Sequence, residues 1–95
     1  MKEFRIEGKI FKYPGVSGWH FIGIEKKIAE KIKEEKLQKV GFSFVKVRVK
    51  IGKTSWNTTL FPTKEGQYLI SIKSEIRKKE NIFEGDDVKA EVTLL

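Results

Sequence analysis

The chain has 95 residues, 39% hydrophobic and 35% charged, which suits one globular domain with a single core. It has no cysteine, so disulfides, zinc–thiolate sites, iron–sulfur clusters and cysteine nucleophiles are excluded. The formal net charge of +7 favours anionic partners, and no apolar run approaches the length of a membrane span.

Met1-Lys2-Glu3-Phe4-Arg5 mixes charge and apolar groups with no h-region, so the expectation is a cytosolic protein. Phe4, Ile6 and Ile10 alternate with Arg5, Glu7 and Lys9, which predicts a half-buried strand over 3–12. Gly8 falls on its apolar face and predicts a bend or bulge. The run 13–18 carries Pro14-Gly15 and reads as a loop, followed by a strand over 19–24. The period then lengthens. Ile24, Ile28 and Ile32 recur every four residues with Ala29 beside them, so an amphipathic helix is expected over about 25–36. Glu25 at its start and Lys36 at its end suit the helix dipole.

Val45, Val47, Val49 and Ile51 alternate with Lys46, Arg48 and Lys50, the cleanest strand pattern in the chain. Trp56, Thr58 and Leu60 alternate with Asn57, Thr59 and Phe61 in the next strand. An even-numbered loop keeps both apolar sets on one face, and the expected pairs are Ile51 with Trp56, Val49 with Thr58 and Val47 with Leu60. Gly66 is expected at positive φ in a second hairpin turn, ahead of a strand through Tyr68, Ile70 and Ile72. Residues 73–79 read as a short helix closed by Asn81. Asp86 and Asp87 read as a turn and strand start leading into Val88, Ala90, Val92 and Leu94. Short strands with one polar face and no βαβ alternation favour an all-β small barrel, because closure removes exposed edges.

The charge is unevenly placed. No acidic residue lies between Glu35 and Glu65, while Lys36, Lys39, Lys46, Arg48, Lys50, Lys53 and Lys64 do, so this run carries the whole net charge of +7. In the expected register Lys46, Arg48 and Lys50 share an outer face with Asn57, Thr59 and Phe61. Two readings stand for that face: a plain solvated strand surface, or an anion-binding stripe with Lys53, Thr59 and Phe61 and with Arg77 and Lys78 joining if the fold brings them near. Trp56 reads as core from its register, and Trp19, after a glycine-containing loop, as a rim residue.

Catalytic constellations are not legible. His20 is the only histidine, no Gly-x-Ser-x-Gly elbow surrounds any serine, and a strand position beside Trp19 predicts surface or rim placement. Adjacent Asp86 and Asp87 point to opposite strand faces and do not form a carboxylate pair. No Walker or dinucleotide-binding glycine pattern occurs, so no cofactor and no metal is implied.

The order of these signals resembles the family called domain of unknown function 1905. The matching segments are Phe4-x-Ile6-x-Gly8-x-Ile10, Trp19-x-Phe21, Gly41-Phe42, and Val45-x-Val47-x-Val49-x-Ile51-Gly52. Trp56-x-Thr58-x-Leu60-Phe61-Pro62, Tyr68-x-Ile70, Ile76-Arg77-Lys78 and Gly85-Asp86-x-Val88 complete the pattern. Ser43 stands where the family often has a second glycine, and Thr59 where it has serine. The resemblance implies a double-split β-barrel and no activity. The expectation is therefore one domain over 1–95: an all-β barrel of about six strands, one amphipathic helix and one short helix. Its expected role is non-catalytic binding of an anionic partner such as nucleic acid. The alternative is a protein-interaction or accessory domain.

Overall fold

The structure is a computed structural model and describes residues 3–12, 19–37 and 45–95. The loop expected at 13–18, the Gly41-Phe42-Ser43 lead-in and the Lys36 side chain lie outside the described residues. The elements are β1 (Glu3–Lys9), β2 (Phe11–Lys12), β3 (His20–Ile24), α1 (Lys26–Leu37), β4 (Val45–Ile51), β5 (Thr54–Pro62), β6 (Tyr68–Ser71), α2 (Ser74–Glu80) and β7 (Asp87–Leu94).

Among the described residues, seven strands form a nearly closed antiparallel barrel in the order β1-β7-β4-β5-β6-β3-β2. The expected barrel of about six strands agrees with this, the count reaching seven because the expected strand over 3–12 divides in two. Its first part pairs with β7, and Phe11 and Lys12 pair with Phe21 and His20 of β3. One bent segment thus meets both ends of the sheet and brings the barrel close to closure. At the break, the Ile10 N–H donates to the Asp86 carbonyl and the Gly85 N–H donates to the Ile10 carbonyl, 2.9 and 2.8 Å apart. Gly8 stays in the regular β1–β7 ladder, with no bulge, and lets β1 approach β3 closely. A Cβ on it would lie 2.6 Å from the Ile22 Cγ2 and 3.1 Å from the Gly23 carbonyl. Replacing Gly8 by Ala is expected to cost about 1–3 kcal/mol through overpacking, measured by urea denaturation. A cost below about 0.5 kcal/mol would show that β1 and β3 separate freely at this point.

Strand alternation builds the core. Val45, Val47, Val49 and Ile51 of β4 and Leu60 of β5 are buried, and Trp56 packs against them half-buried. The face assignment expected from the sequence therefore holds, but the pairing is displaced by two residues. Ile51 pairs with Thr54, Val49 with Trp56, Val47 with Thr58 and Val45 with Leu60. The expected four-residue connection is really a two-residue hairpin over Gly52-Lys53. Gly52 takes φ 58°, which suits the first central position of a type II′ turn and matches the twist of the flanking strands. A shift of two residues preserves every side chain's face, whereas a shift of one would reverse them all.

The helices pack beside the strands. α1 buries Ala29 and Ile32 fully and Ile28 partly, and its Lys33 Nζ donates to the Gly66 carbonyl at 3.2 Å. α2 buries Ile76 and ends at Asn81, whose φ of 56° is left-handed as expected; the following Ile82 N–H reaches the Arg77 carbonyl at 2.8 Å. The Thr54 hydroxyl donates to the Glu80 carboxylate at 2.6 Å and ties α2 to the β4–β5 hairpin. Gly66 has φ 88°, also as expected. The Asp86 carboxylate accepts the Phe83 N–H at 2.8 Å, which is the turn role expected for it. Among the described residues no helix is long and apolar enough to cross a membrane.

Candidate functional site

β4 lies between β7 and β5, so its outward side chains stand in the middle of a continuous surface. Lys46, Arg48 and Lys50 are all exposed there, alternating with the buried valines. Across β5 they face Thr59, Asn57 and Ser55 in turn. Arg48 Nε donates weakly to Asn57 Oδ1 at 3.4 Å. On the other side Arg48 faces Thr93, and the Lys46 carbonyl accepts the Leu95 N–H at 3.1 Å. Arg48 therefore has neutral side chains on both flanks, Asn57 and Thr93. Lys50 differs, since it stands opposite Glu91, whose carboxylate also lies 4.0 Å from Arg5. The Lys50 end of the row is thus opposed by a carboxylate, and Arg48 is not.

The residues singled out from sequence divide by element. Lys46, Arg48, Lys50, Thr59 and Phe61 share the outer face of β4 and β5, and Lys53 is exposed in the turn that joins them. Arg77 and Lys78 lie instead on α2. The half-buried Arg77 donates from Nε to the Ile72 carbonyl at 3.1 Å, and its Nη1 is 3.5 Å from the His20 Nε2. Its guanidinium secures α2 to the strands. Lys78 is exposed on the same helix.

His20 requires a correction. Expected at the surface or rim, it is only 8% exposed. It shares strand parity with the buried Ile22 and Ile24, and α2 brings Arg77 onto its ring. Tyr68 is another buried polar side chain; burial raises its phenol above the ordinary value of 10.0, and Lys33 Nζ stands 5.7 Å from its ring centroid.

Sequence reasoning placed only Phe61 among aromatics on the outer face, and the structure adds three more. Phe21 is the hub, with ring centroids 6.2 Å from Phe11, 5.9 Å from Trp19 and 6.2 Å from Phe61, the last edge-to-face. Phe21 is outward by strand parity yet only 6% exposed, because its neighbours cover it. Trp19 at 48% and Phe61 at 36% keep surface in contact with solvent. The cluster lines an open cleft of about 990 Å³ with Leu69, Pro62, Thr63, Lys64, Glu65 and Gln67. The signal that was available is Trp19-x-Phe21, an outward aromatic pair. Its connection to Phe61 depends on β6 lying between β3 and β5. A second cleft, of about 910 Å³, is lined by Arg5, Lys50 and Lys89 together with Glu7, Glu25, Asp87 and Glu91, so its carboxylates outnumber its cations by one.

Barrel and outer face together define a small β-barrel domain with a basic row next to an aromatic cluster. The chain matches the family model described as a domain of unknown function (DUF1905) over residues 7–92 and belongs to that family. No curated protein matches it.

Proposed function

We propose that the domain is a non-catalytic binding module for an anionic polymer, with single-stranded nucleic acid as its partner. The observation that carries this reading is the exposed row Lys46, Arg48 and Lys50 on a central strand, with Arg48 flanked by the neutral side chains of Asn57 and Thr93. Side chains on one strand face repeat about every 6.8 Å, a spacing that suits successive phosphates of an extended strand. The hydroxyls of Ser55 and Thr59 and the amide of Asn57 lie alongside the row and suit phosphate and sugar oxygens. Along the row itself only Asn57 offers an amide for reading base edges, so recognition there is sequence-tolerant.

About three to five phosphates are contacted in this arrangement, and the plot of log affinity against log salt is expected to have a slope of about −2 to −4. Anisotropy of a labelled single strand, titrated from low to moderate salt, measures it. No detectable affinity for single-stranded DNA or RNA at low salt would overturn the reading. The protein-interaction alternative would then lead, supported by the solvent-facing apolar surface of Trp19 and Phe61.

A further inference from the structure

We propose that the cluster of Phe61, Trp19 and Phe21 is a stacking site for an unpaired base of a strand whose phosphates lie along Lys46 and Arg48. This rests on the reading of the basic row as a phosphate track and adds the class of ligand it selects: single strands with accessible bases, in preference to bare polyanions.

Register places the two features side by side. Lys46 pairs with Thr59, and Phe61 is two residues further along the same face of β5. Diagonal neighbours of this kind are about 7–8 Å apart, within the reach of one nucleotide. A phosphate on Lys46 therefore leaves its adjoining base above the Phe61 ring. The ring is held in place, because Phe61 meets the covered Phe21 edge-to-face and Phe21 in turn supports Trp19. A supported platform loses little freedom when a base lands on it. The polar rim is also suited to a base: Thr63 and Gln67 border the cleft and offer a hydroxyl and an amide to a base edge. Lys64 on the same rim attracts the next phosphate, offset in part by Glu65. Charge complementarity favours a nucleic acid over an apolar protein segment here, since the cleft adjoins Lys46 at the end of the exposed cationic row and carries Lys64 on its own rim.

The test compares two probes on the full chain: a single-stranded oligothymidylate of about 12 nucleotides and the same sugar–phosphate strand without bases. The expected result is that oligothymidylate binds at least about 5-fold tighter than the abasic strand. Phe61→Leu and Trp19→Leu should each remove most of that difference, leaving abasic-strand affinity and the salt slope unchanged. Trp19→Phe should retain the preference, because it keeps an aromatic face. Tryptophan emission should be quenched by oligothymidylate and not by the abasic strand, and the quench should disappear in Trp19→Phe. Urea midpoints of the variants report whether they remain folded. Equal affinity for both probes would overturn the stacking site and leave the phosphate track standing; binding of neither would overturn both. Concentration-dependent self-association, lost in Phe61→Leu and accompanied by no base preference, would assign the cleft to a second copy of the chain and overturn the proposal.

Discussion

Replacing Lys46, Arg48 and Lys50 together by Glu is expected to abolish single-strand binding while leaving the domain folded. All three side chains are exposed on the outer face of β4, so none contributes to the core. The substitution takes the formal net charge from +7 to +1 and reverses the field where it is concentrated. Folding should be little affected, because exposed substitutions of this kind usually change stability by about 0.5 kcal/mol or less each. The largest penalty should come from Lys50→Glu, which sets a carboxylate opposite Glu91. Anisotropy at low salt reads the binding and a urea midpoint reads the fold. A graded version separates charge from structure: Lys46→Gln alone should reduce the steepness of the salt plot by about 0.7, the contribution of one phosphate contact on a single strand. Retained affinity in the triple variant, with an unchanged midpoint, would remove the β4 row from the interface.

Leu60→Ala is expected to produce the largest loss of stability among single substitutions on β5, about 2–5 kcal/mol. Leu60 is fully buried opposite Val45, and truncation leaves a cavity bordered by two strands that the barrel holds in place. A domain of this size has only about 5–15 kcal/mol in total, so the variant should unfold at markedly lower urea. The next residue provides the control. Phe61 is larger but faces outward at 36% exposure, and Phe61→Leu should cost about 1 kcal/mol or less. The contrast between neighbours is a direct test of strand parity. A greater cost at Phe61 than at Leu60 would mean that β5 is turned the other way and that the basic row does not lie beside an aromatic surface.

Much of this was already present in the chain's pattern. The alternation from Val45 to Ile51 assigns three cations to one face and four apolar residues to the other, because a strand has a side-chain period of two whatever it pairs with. Positive φ at Gly66 and the left-handed Asn81 were likewise legible, since few residues tolerate those conformations. What failed was whatever depended on a partner. The β4–β5 pairing was displaced by two residues because a two-residue turn at Gly52-Lys53 and a four-residue turn preserve the same faces, and only backbone geometry distinguishes them. The sequence predicts surface or rim placement for His20 because its local neighbours give no sign that α2 brings Arg77 against it.

Local sequence thus accounts for the basic row: alternation in a single strand is a short-range property, and seven residues suffice to state it. The aromatic half of the face is a long-range property. Phe11, Trp19 and Phe21 come from the start of the chain and Phe61 from beyond its middle, and they meet because β6 is inserted between β3 and β5. Strand order is set by which edges can bury their apolar faces together in a nearly closed barrel, a free-energy balance over the whole core that no local pattern of residues encodes.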